Sequence, residues 1–221
     1  MKGQKPVYSL VFETNKWVFF LLYGVFFMLI SLAIKNFLPF EEMIFNSLSE
    51  QLSVKRVNEF ITSQKKWEWI GYLVIPVLLL LKWALTTLSI YIGTVFFDFK
   101  ASFKKLFHIV MLSEIVFLTL ALVKFIWLYI HKDNLTLEYL QHFQPLALVN
   151  LFEYGELEPW LIYPLQAFNL FELAYWFLLA FLLKNETQKP FWRSFEFVLS
   201  TYGLGLLIWI VFVAFLTLNF S

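Results

Sequence analysis

The sequence predicts an all-α, polytopic membrane protein with five transmembrane helices, and three observations carry that prediction. Sixty per cent of the 221 residues are apolar and 15% are charged, against about 45–50% and about 25% in an ordinary soluble domain. Five apolar segments, 17–34, 69–97, 106–130, 160–183 and 195–220, reach or approach the roughly 20 residues a helix needs to cross a bilayer core. Lysine and arginine alternate in density from one connecting segment to the next. A soluble chain of this length has too little interior to hide so much apolar surface. No stretch has the size of an independent soluble domain, so residues 1–221 read as one membrane domain.

Span one, 17–34, follows a basic leader with Lys2, Lys5 and Lys16. That leader and Ser31-Leu32-Ala33 fit a cleaved signal peptide loosely, but the long, Phe-crowded run reads better as a retained anchor. The next connection, 39–68, has apolar residues at Ile44, Leu48 and Leu52, then at Val57, Phe60 and Ile61. That spacing predicts amphipathic helices on the membrane surface. Span two is long enough to tilt or to project from the membrane; it carries Pro76 and, near its middle, one charge, Lys82. Span three follows Lys100, Lys104 and Lys105 and contains Glu114 and Lys124. The connection 131–159 is amphipathic through Leu137, Leu140 and Phe143 until Pro145 breaks the pattern. It ends in Glu153, Glu156 and Glu158, which read as a solvated rim. Span four carries Pro164, Gln166, Asn169 and Glu172; span five follows Lys184, Lys189 and Arg193 and has Glu196 at its edge. Gly203-Leu204-Gly205 in span five permits close helix packing. Trp17, Trp69, Trp127, Tyr129 and Trp160 mark span edges, where amphipathic rings favour the headgroup layer.

Nine Lys and Arg residues fall on the side of the N-terminus and five on the other, which also holds ten acids between Glu41 and Glu158. The positive-inside rule places the N-terminus in the cytoplasm and the C-terminus outside. Abundant Phe, Lys, Asn and Ile point to an AT-rich bacterial genome and so to a bacterial inner membrane. "ASFKKLFHIVMLSEIVF" and "RSFEFVLSTYGLGLLIW" both place Ser-Phe after a basic connection, at Ser102-Phe103 and Ser194-Phe195. The spans before them each carry a proline and then a charge, Pro76 with Lys82 and Pro164 with Glu172. Spans two and three therefore form one unit of a parallel repeat with spans four and five, unless compositional bias accounts for the likeness.

Charges inside a bilayer are costly and seek partners. At 1.5 Å of rise per residue, Lys82 lies roughly 20 Å and Glu172 roughly 18 Å below the outer starts of their spans. The matching depth predicts a Lys82–Glu172 ion pair near the midplane. Gln166, Asn169 and Glu172 line one helix face as a polar neighbourhood for it. Glu114 is expected one to two turns above the inner face, within reach of the basic connections, and Lys124 is expected to snorkel beside Trp127 and Tyr129. Glu196 is expected at the interface.

Other chemistry is thin. With no cysteine, thiolate catalysis, disulfides and iron–sulfur clusters are excluded. A net charge of +1 argues for no nucleic-acid partner. His108, His131 and His142 form no HExxH or HxxxH pair, and Glu138 with His142 is better read as helix-surface neighbours than as metal ligands. No GxSxG, P-loop or GxGxxG occurs. No enzyme, cofactor or metal is expected.

Two stretches carry a resemblance. "FDFKASFKKLFHIVMLSEIVF" resembles the short basic Ser-Phe connection and third span of the Yip-domain family of five-span membrane proteins. "FNLFELAYWFLLAFLLKNETQKPFWRSFEFVLSTYGLGLLIWIVF" is similar to that family's fourth span, short connection and glycine-containing fifth span. Together they cover roughly residues 97–221. The resemblance implies a cytosolic N-terminus and an outside C-terminus, and it supplies no catalytic residue. The chain departs from the family in its long first outer loop and in lacking a long cytosolic N-terminal region, the region that engages small GTPases in eukaryotic members. Phe-rich, Gly-poor spans with wide packing faces favour a non-enzymatic accessory or scaffold subunit that binds membrane-protein partners in the bilayer. The rival is a small transporter or channel, with a homo-oligomer admissible, using Lys82, Glu172, Gln166 and Asn169.

Overall fold

The computed structural model describes residues 15–49, 51–97 and 99–220; Lys2 and Lys5 lie outside them. Asn15 opens the first helix by accepting the Trp17 amide at 3.0 Å, which satisfies one orphan donor of the first turn. That helix, α1, runs Lys16–Phe37. It stops because Leu38 precedes Pro39 and takes extended geometry. The amphipathic α2 (Phe40–Leu48) follows, burying Met43 and Ile44 while Glu41 and Glu42 occupy its first turn, as the sequence predicts.

Helix α3 (Val54–Phe96) is one element of 43 residues. Its length of about 64 Å is roughly twice a hydrocarbon core. The segment at Val57, Phe60 and Ile61 is therefore not a separate surface helix, as expected from its pattern, but the far end of α3. No proline or glycine interrupts residues 54–70, so the helix propagates.

The third expected span is α4 (Phe103–Ser113) and α5 (Ile115–Ile130), meeting at a turn on Glu114. Thr136 caps the short α6 (Leu137–His142) by accepting the Tyr139 amide. The fourth expected span is broken: α7 (Pro159–Ala167) ends and α8 (Leu170–Thr187) begins anew at the cap Asn169. The last is α9 (Phe191–Val198), a π-helical turn at Leu199–Gly203, and α10 (Leu204–Phe220). Among the described residues four helical stretches, Lys16–Phe37, Val54–Phe96, Phe103–Ile130 and Phe191–Phe220, are long and apolar enough to cross a membrane. The fold is thus all-helical and multi-pass, with the fourth predicted span interrupted rather than continuous.

Helices α3, α4, α8 and α9 enclose the main core, in which Trp83, Ile109, Tyr175, Leu179 and Phe197 are buried. A Cβ on Gly93 would collide with the Thr201 side chain and approach Phe197 to 3.2 Å, and one on Gly205 would come 2.6 Å from Ser89 Oγ. Glycine at both positions lets α3 approach the π turn and the start of α10. A smaller core of Leu38, Met43, Leu128 and Phe143 ties α1, α2 and α5 to the segment after α6. At the basic end Lys105 pairs with Glu186, and at the opposite end Lys35 meets Glu68 at 2.6 Å. The two Ser-Phe pairs differ locally: Ser102 is the N-cap of α4, whereas Ser194 is buried within α9.

Candidate functional site

Measured along each helix from the basic end, Lys82, Glu114, Glu172 and Tyr202 lie about 17–22 Å deep. In a bilayer core about 30 Å thick that began at those helix ends, these lengths would place them near its middle. Three helices depart from regular α geometry around this layer: at Glu114, at Phe168–Asn169 and at Leu199–Gly203. Such departures free backbone groups that need new partners in an apolar medium.

The α7–α8 break is satisfied by the preceding loop. Leu148 N donates to Phe168 O at 3.0 Å and Leu170 N to Leu146 O at 3.2 Å, around a bridge between Ala147 and Asn169. Leu146 takes a left-handed conformation there, φ 53°, strained for a residue with a Cβ. Gln166 Nε2 donates to the carbonyls of Gln141 and His142 at 2.9 and 2.7 Å. Asn169 Oδ1 accepts the Glu172 amide at 2.8 Å, while its Nδ2 donates to Gln166 O at 2.9 Å. Gln166 and Asn169 therefore hold the break together; their side chains are committed to backbone. At the π turn, Ser89 Oγ donates to Thr201 O at 2.9 Å and Thr201 Oγ1 to Phe197 O at 2.7 Å.

Lys82 has a different acid from the one its depth predicts. Its Nζ donates to Glu114 Oε2 at 2.9 Å and lies 3.8 Å from the centre of the Phe117 ring. The Tyr23 hydroxyl points to the same oxygen from a longer 3.4 Å. The predicted Lys82–Glu172 pair is replaced because α3 and α4 are consecutive, antiparallel and joined by a short connection, whereas equal depth alone does not make neighbours. Glu114 is fully buried, three turns into its span, not near the inner face as its place in span three suggested. Counting from Leu106 misses the turn that Ser102 starts.

Glu172 turns instead to neutral donors. Its Oε1 accepts from the Trp176 indole at 2.8 Å and from the Tyr202 hydroxyl at 2.7 Å. Between the two acids stands Tyr175, its ring 4.9 Å from Phe117 and 5.2 Å from Tyr202. The Tyr175 hydroxyl lies against Glu114, and among the described residues neither it nor Glu114 Oε1 has a partner in full hydrogen-bond geometry. The layer is thus a chain of polar groups from five elements: Tyr23, Lys82, Glu114, Tyr175 with Glu172, and Tyr202. Lys124 is half-buried further along α5. Glu196 is exposed, 3.5 Å from Arg193, and Glu138 lies 3.9 Å from His142 on the surface of α6.

Tyr23, Tyr175, Trp176 and Tyr202 escape a reading that treats span aromatics as packing. The signal for them is that a hydroxyl or indole N–H at mid-span must find an acceptor, and Tyr175 and Trp176 sit at i+3 and i+4 from Glu172. The chain matches no family model, and comparison with curated proteins and with solved structures finds no match either.

Proposed function

We propose that this chain is a small ion-coupled transporter, non-enzymatic, crossing the membrane five times with its N-terminus in the cytoplasm of a bacterium. The observation that carries the reading is that two buried carboxylates lie beside three helix distortions: the turn on Glu114 itself, the break capped by Asn169 three residues before Glu172, and the π turn that holds Tyr202 against Glu172. Intramembrane acids facing a bundle interior mark ion pathways. Discontinuous helices place half-helix ends at such sites in transporters, and π turns recur at functional positions. Lys82, shared electrostatically between Glu114 and Glu172, would change partner as an ion binds and is released.

The test is charge movement in proteoliposomes of the full chain, recorded after jumps in pH or sodium concentration. Transient currents that vanish in Glu114→Gln and Glu172→Gln support the proposal. Wild-type vesicles no more responsive than protein-free ones to either jump overturn it. A second reading, the accessory or scaffold subunit, draws on α10, where Ile210 is the one buried residue of Leu204–Phe220 among those described. Native mass after gentle detergent extraction at natural expression level separates the two: a stable hetero-assembly favours the subunit, and a monomer or homo-oligomer the transporter.

A further inference from the structure

The layer's charges do not balance. Among the described residues, Lys82 is the cation that contacts it and two buried carboxylates face it, so one negative charge is left over. An uncompensated charge at this depth is far costlier than a neutral acid. The distribution of contacts says which carboxylate yields. Glu114 has the ammonium at 2.9 Å and remains the anion of an ion pair. Glu172, 8% exposed, receives, among the described residues, an indole N–H and a phenol O–H and no ammonium. Both bonds fall on Oε1, which leaves Oε2 to carry hydrogen. A sodium ion is a poor alternative, because the nearby side-chain oxygens are few and Asn169 Oδ1 is already occupied by the cap.

We infer that Glu172 is a proton-binding site: Oε2 forms a bond to one exchangeable proton, and Oε1 stays a carbonyl oxygen held by Tyr202 and Trp176. Binding adds H⁺ to the carboxylate and removes one negative charge; release restores it and draws Lys82 away from Glu114. The groups that face Glu172 are Asn169, Tyr175 and Trp176 from α8, Tyr202 from the π turn, Lys82 from α3, Glu114 from the α4–α5 junction and Tyr163 from α7. As the coupling ion, this proton rests on the transport reading above; its residence on Glu172 does not.

Infrared difference spectroscopy of the full chain in proteoliposomes, titrated from mildly acidic to mildly alkaline pH in H₂O and D₂O, tests it. The expected result is one deuterium-sensitive carbonyl band of a protonated carboxylic acid, lost at every pH in Glu172→Gln; in Glu114→Gln, which removes the surplus charge and frees Lys82 for Glu172, the band should disappear at a lower pH than in the wild type. Tyr202→Phe, the mildest change, should keep the band and raise its frequency, because the carbonyl oxygen loses a donor. Absence of the band in the wild type, its survival in Glu172→Gln, or an unmoved band in Tyr202→Phe overturns the inference. A band on Glu172 without any current after a pH jump would sink the transport reading alone. Sodium-driven current without the band would sink this inference alone.

Discussion

The Lys82–Glu114 pair makes the sharpest stability prediction. Glu114 is fully buried, so Lys82→Met leaves a carboxylate with Tyr23 at 3.4 Å as its remaining donor. Breaking a buried pair from one side costs about 3–5 kcal/mol. The Lys82 side chain is 43% exposed and keeps some freedom to snorkel, so Glu114→Leu should cost somewhat less, about 2–3 kcal/mol. The double variant removes both charges and should cost about 1–2 kcal/mol, because a matched apolar pair replaces the ion pair nearly evenly. The resulting coupling is at least about 3 kcal/mol, while Lys82 with Glu172→Leu should couple by less than about 1 kcal/mol. Reversible unfolding in mixed micelles or bicelles, run as two double-mutant cycles, measures both. A Lys82–Glu172 coupling equal to or larger than the Lys82–Glu114 coupling would refute the neighbour assignment.

Four further outcomes follow from the same structure. Gly93→Ala should destabilise by about 1–3 kcal/mol, since the new methyl collides with Thr201 and the packed helices cannot part cheaply; thermal unfolding in detergent reads it. Asn169→Ala should lose about 1 kcal/mol for the cap of α8, and hydrogen exchange should accelerate at the α7–α8 break first. Lys105→Met should change stability by less than about 1 kcal/mol, because its partnership with Glu186 is exposed on the lysine side and screened by salt; the same melts at low and high salt check this. Gln188→Gly should stabilise by about 1 kcal/mol, since Gln188 takes φ 56° at the C-cap of α8, where glycine carries no Cβ penalty. A melt lower than wild type would contradict that assignment.

Much of the architecture is legible in composition and period, and the misses have particular causes. The amphipathic pattern at Ile44 and that at Leu137 and Leu140 each became a short helix, because apolar spacing, and at the second the Thr136 cap, act within a few residues of one another. The outer end of α3 was misread because the same periodicity describes a helix lying on a membrane and one continuing out of it. The interruption of the fourth span was hidden in a hydrophobic run: Pro164 and Asn169 hint at it, but helices tolerate both residues when neighbours supply hydrogen bonds. Here the neighbour is the loop around Ala147, some twenty residues earlier in the chain.

The sequence by itself determined the solvent of this protein, the number of apolar segments and the rarity of charge within them, since these depend on residue type summed over short windows. It also marked Lys82, Glu114, Lys124, Glu172 and Glu196 as charges within or at the edge of spans, in need of partners. Only the tertiary structure decided who partners whom. Pairing depends on which helices touch and which face each presents, and depth along a helix contains neither. Lys82 therefore went to the acid on the adjacent helix. Glu172 was left to Tyr202 and Trp176, so that among the described residues the layer holds two carboxyl groups against one lysine.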